Sequence, residues 1–124
     1  MFRLEDLEVY KISMEIGEMI WNIVERWNAY QKDTLGRQVT RAADSIALNI
    51  SEGYGRYHYK DNKNFCYYSR GSAFETKSAL TKAKERNLVS YNEYEVLQTK
   101  LDLYFKKINA YIRSIGNKSL TNDK

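Results

Sequence analysis

Residues 37–56 read RQVTRAADSIALNISEGYGR, and their spacing decides the fold. Val39, Ala42, Ala43, Ile46, Ala47 and Ile50 follow one another at steps of three, one, three, one and three. At about 100° per residue these positions cover one side of a helix. Half of them are alanines, so a neighbouring helix can come close along this side. Gln38, Arg41, Ser45, Asn49 and Glu52 form a second, wholly polar line on the far side. Gly53 and Gly55 then suit a left-handed C-terminal cap. The chain runs on into a basic, aromatic segment.

Upstream, the spacing predicts a helix over about 5–28. Val9, Ile12, Ile16, Met19, Ile20, Ile23 and Trp27 make one apolar stripe. Tyr10, Met14, Gly17, Trp21 and Val24 make a second one. A helix at the edge of a bundle needs only the first. Either the bundle wraps this helix on two sides, or the second stripe is a contact surface for another molecule. Residues 28–33 read as a turn, with Asp33 or Thr34 as N-cap of the helix over 34–52.

Downstream, 54–64 (YGRYHYKDNKN) reads as a loop, with Asp61 as the cap of a helix over 62–86. Its inward positions are Phe65, Ser69, Ser72, Ala73, Thr76, Ala79, Leu80 and Ala83, mostly small. Tyr67 and Phe74 fall on the opposite side, seven residues apart. Ser90 and Glu93 form a capping box, and Val89 and Tyr94 a hydrophobic staple, for the helix over 91–115. Tyr94, Leu97, Leu101, Tyr104, Ile108, Tyr111 and Ile115 then alternate at steps of three and four. Gly116 is the expected stop, and 117–124 the expected disordered tail. Four long helices joined by short connections make an all-α, antiparallel, up-down-up-down four-helix bundle.

Composition agrees. The 124 residues suffice for one domain with a real core, and the chain has no proline and only six glycines. Cys66, the lone cysteine, excludes an internal disulfide and fits a reducing, cytoplasmic setting. No apolar run suggests a signal peptide or a membrane span. The net charge of +4 hides an asymmetry. Residues 1–28 carry −3 and residues 29–124 carry +7, and a basic body attracts polyanions.

Few residues suggest catalysis. His58 has no second histidine, and no zinc, di-iron or phosphate-loop pattern is present, so neither metal nor cofactor is expected. The polar line has only Glu52 as a base, which points to mutual hydrogen bonding or a solvated face rather than chemistry. The 54–70 stretch is denser. Arg56, Lys60, Lys63 and Arg70, with His58, are interleaved with Tyr54, Tyr57, Tyr59, Phe65, Tyr67 and Tyr68. Cations contact phosphates while aromatic rings stack on unpaired bases. The alternative is that the tyrosines pack the end of the bundle, hydroxyls at its rim.

SIALNISEGYGR at 45–56 and SRGSAFE at 69–75, with LEVYKIS at 7–13, resemble the bacterial four-helix bundle proteins encoded in intervening sequences of 23S ribosomal RNA genes. The fold is also similar to the accessory variability protein of diversity-generating retroelements, a basic, barrel-like homopentamer that binds nucleic acid and a reverse transcriptase. The resemblance implies a helical bundle, a homopentamer, and RNA, DNA or a protein as partner. Its motif residues here are Ser45, Asn49, Glu52, Gly53, Gly55, Arg56, Arg70, Gly71, Ser72 and Glu75, joined by Arg41 of the polar line. Their pattern suggests a structural corner between the second and third helices. The sequence thus leads to a non-enzymatic ring that binds nucleic acid, with a protein-interaction module as the other reading.

Overall fold

In the computed structural model, residues 3–122 are described, with side chains through Ile115. Four long helices, α1 (Glu8–Glu25), α2 (Arg37–Tyr54), α3 (Tyr59–Glu85) and α4 (Tyr91–Asn122), form an antiparallel up-down-up-down bundle. Each helix packs on its chain neighbours, and α1 closes the bundle against α4. The broadest contact joins α2 to α3, where alanines and serines meet. No described helix is long and apolar enough to cross a membrane.

The α2 stripe is buried as its spacing predicts: Val39, Ala42, Ala43, Ile46, Ala47 and Ile50 all face the core. On α4, Leu97, Leu101, Tyr104 and Ile108 are fully buried. The Ser90–Glu93 box forms: the Ser90 hydroxyl accepts from the Glu93 amide at 3.1 Å, and Glu93 accepts from the Ser90 amide at 3.2 Å. On α3, Cys66 takes the buried place expected for Phe65, which is only partly covered, as is Ser72.

Several boundaries differ from the sequence expectation. The first helix starts three residues late, because Leu7 is extended after a short 3-10 turn (Leu4–Asp6). It ends at Glu25, but Trp27 still enters the core and donates its indole N–H to the Leu88 carbonyl at 2.8 Å. The expected 28–33 turn is helical. Asn28 and Gln31 form a capping box, with Asn28 accepting from the Gln31 amide at 2.9 Å and Gln31 from the Asn28 amide at 3.1 Å. One α-turn (Ala29–Gln31) and a π-helical segment (Lys32–Gly36) then lead without a break into α2. An added Cβ at Gly36 would lie 2.9 Å from Val24 Cγ1 and 3.0 Å from the Gln31 carbonyl, so only glycine lets this turn lie on α1.

The expected 54–64 loop shrinks to four residues, because α3 begins at Tyr59 with His58 as N-cap. Asp61 lies in the first turn instead, where a carboxylate favours the helix dipole. The left-handed glycine cap is absent among the described residues: Gly55 is right-handed, and Asn87 (φ 59°) alone has positive φ. Asn87 closes α3 in a Schellman motif, with Leu88 N–H to the Ala83 carbonyl at 2.8 Å and Asn87 N–H to Lys84 at 3.0 Å. Gly53 serves close packing: a Cβ there would meet Asn62 Oδ1 at 2.7 Å and Phe65 Cβ at 2.8 Å. Gly116 does not end α4, which stays helical to Asn122; the last two residues of the expected tail lie outside the described part.

Candidate functional site

The corner between α2 and α3 gathers most of the expected basic, aromatic set. Tyr57 sits in the four-residue connection and is 91% exposed. It meets the His58 ring edge-on at 4.9 Å. Lys60 is exposed on the first turn of α3, and Lys63 is partly covered one turn on. Arg56 is held twice, by Glu52 at 2.9 Å and over the Phe65 ring at 4.7 Å. Phe65 is in turn stacked edge-on by Tyr68 at 5.4 Å.

Asn62 faces the Tyr111 hydroxyl at 3.4 Å, so the C-terminal half of α4 lies at this same end. It brings exposed Arg113, a cation that 54–70 alone did not reveal, whereas Lys106 and Lys107 lie further back, level with Arg70 and Phe74. Arg70 stands apart, eleven residues along α3 from Tyr59, or ~16 Å at helical rise. It donates to Asn109 Oδ1 at 2.7 Å and lies 5.0 Å over the Tyr67 ring, facing α4 rather than the corner. The corner set is therefore Arg56, Tyr57, His58, Lys60 and Lys63.

The motif residues do not gather at one corner. Glu52, Gly53, Gly55 and Arg56 are there, but Gly71, Ser72 and Glu75 lie midway along α3. Because α2 and α3 run antiparallel, Arg41 and Ser45 meet that middle stretch instead. A groove of about 390 Å³ is lined by Thr34, Arg37, Gln38, Arg41, Ser45 and Glu75. Asn49 donates back to the Ser45 carbonyl at 2.9 Å. These residues mark a seam between two helices.

The second stripe of α1 is divided. Helix α2 covers Gly17, the π-helical segment lies against Val24 at Gly36, and Tyr10 is partly buried. Met14 and Trp21 remain half exposed (52% each), joined by Leu48 of α2 at 64%, which lay outside the predicted apolar positions. Met14 and Leu48 border a shallow groove with Gly17, Glu18 and Asp44. Partial burial, and then the nearby Glu18 carboxylate, push Asp44 above the usual carboxylate range.

One buried polar junction escaped the sequence reading. The Ser69 hydroxyl donates to the Ile46 carbonyl at 2.8 Å and lies 2.6 Å from the Tyr104 hydroxyl. Since the serine proton is used on Ile46, Tyr104 is the donor to Ser69. Ser69 and Tyr104 appear in sequence only as inward positions. Cys66, fully buried beside them, has its thiol pushed up to about 12 by burial, so its reactive thiolate is disfavoured. Among the described residues no three His, Cys, Asp or Glu side chains could hold a metal ion together.

Bundle and site define a small, all-helical protein with a cationic, aromatic corner. The chain belongs to the family described as 23S rRNA-intervening sequence protein, whose model matches residues 5–110. Its structure resembles that of a protein of unknown function of the S23 ribosomal protein family from Bacteroides thetaiotaomicron. The TM-score is 0.75 at 20% identity, over 84% of this chain and 97% of that one, a likeness of fold. No curated protein matches the sequence.

Proposed function

We propose that this is a non-enzymatic cytoplasmic protein that assembles into a ring-like homo-oligomer and contacts single-stranded nucleic acid at its α2–α3 corners. The observation that carries the reading is Tyr57. An aromatic ring 91% open to water, beside His58 and with Arg56 and Lys60 close in sequence, has the composition of a base-stacking platform with phosphate contacts. Arg113, two residues past Tyr111, adds a cation at the same end. Five members is the number implied by the resemblance.

Tyr57→Ala and Lys60→Ala, each on an exposed side chain, should lower the affinity for labelled single-stranded RNA while the melting temperature stays put. Loss of one stacked ring corresponds to about 1–3 kcal/mol of binding. Unchanged RNA affinity in both variants would remove the corner from the account. The half-exposed Met14, Trp21 and Leu48 favour a second reading, a module for a protein partner alone. A partner recovered by pull-down after nuclease treatment, with no RNA binding by the purified protein, would select it.

A further inference from the structure

Gly71 stands in the middle of α3, exposed and right-handed, and a Cβ added there would meet nothing within 4 Å. Nothing inside the chain requires glycine, which weakens a helix relative to alanine. Its surroundings are not ordinary solvated surface. Lys63, Tyr67, Arg70 and Phe74, at steps of four, three and four, line one side of it. Tyr68 and Glu75 line the other, and Tyr67, Tyr68 and Phe74 are all exposed. The surface is also held in place: Asn109 fixes Arg70, Arg70 covers Tyr67, and Phe74 stacks on Phe105 at 4.5 Å. Bare helix backbone between fixed aromatic rings is a shape that admits a bulky group from outside.

The molecule offers such a group on another side. Met14, Trp21 and Leu48 form an exposed apolar ridge along α1 and α2. Beside it Glu18 and Asp44 stand close enough to repel, and neither has an ion pair among the described residues. Around Met14 and Leu48 the ridge carries unpaired carboxylates, and Lys32, Arg37 and Arg41 lie beside Trp21; the Gly71 face is aromatic, with Arg70 as a cation and Glu75 as a carboxylate. We infer that the Gly71 face of one copy receives the Met14–Trp21–Leu48 ridge of a second copy, with Arg70 turned toward Glu18 and Asp44. The contact rests on the ring-like assembly proposed above and names its receiving face. Because the two surfaces are unlike, each copy uses both, and repetition through a closing rotation gives a ring.

Light scattering tests it on the full chain, with circular dichroism as a check of folding and an RNA-binding measurement alongside. Wild type should be oligomeric. Gly71→Leu and Gly71→Ala, on an open helix face, should keep or raise helicity, and Gly71→Leu should fall to the mass of a single chain. Trp21→Asp, on the opposite surface, should do the same. An oligomeric wild type with Gly71→Leu unchanged in mass overturns this contact and leaves the ring standing. A monomeric wild type overturns both. Gly71→Leu of unchanged mass but weakened RNA binding overturns the contact and hands this face to nucleic acid.

Discussion

At Ser69 a single hydroxyl joins three helices, accepting from Tyr104 of α4 and donating to the Ile46 carbonyl of α2. The direction of those bonds makes the two partners unequal. Ser69→Ala strands the buried Tyr104 hydroxyl, which burial already holds strongly in its protonated form, with no acceptor. The cost should be about 1–3 kcal/mol. Tyr104→Phe removes the donor together with its need, while Ser69 keeps Ile46, so its cost should be smaller, about 0.5–1.5 kcal/mol. Denaturant midpoints with unchanged slopes would rank them. The reverse order would mean that Tyr104 finds another acceptor. This junction was not legible in the sequence, because a serine among alanines and a tyrosine in a heptad both read as packing.

Between elements, glycines separate close approach from open surface. Gly36→Ala would press a Cβ between Val24 and the Gln31 carbonyl, and Gly53→Ala would press one into Asn62 and Phe65. Each should destabilise by about 1–3 kcal/mol. Gly55→Ala meets only ordinary contacts at 3.7 Å and should stay within about 0.5 kcal/mol. Thermal unfolding of the three variants checks this, and a Gly55 variant as damaged as the other two would contradict it. The helices themselves were legible where their signals are local: the α4 cap, its heptads and the α2 stripe all appear as spaced. The start of the second helical stretch was missed because Asn28 and Gln31 form a box ahead of any apolar run. The π-helical segment depends on packing against Val24 and Trp27, which no window of sequence contains. The left-handed position fell to Asn87, whereas the glycines signalled 53 and 55.

Over the whole molecule, charge and apolar surface are distributed by side. The basic, aromatic corner lies at one end, and the Met14–Trp21–Leu48 ridge and the Gly71 face run along the helices. The corner was legible as composition in 54–70. Arg70 was misplaced because sequence distance hides the ~16 Å that a helix puts between it and Tyr59. Arg113 was missed because only the fold brings that part of α4 to this end. In a closed ring the corner repeats once per copy, so one long strand meets several sites at high effective concentration. The salt dependence of wild-type binding to labelled single-stranded RNA, followed by fluorescence anisotropy, reads that corner directly. Each phosphate contact contributes a slope of about −0.7 in log K against log salt. Three or more contacts predict a slope of about −2 or steeper, and at least about tenfold weakening between 50 and 200 mM salt. No binding at the lowest salt, or binding that salt leaves unchanged, would contradict the account.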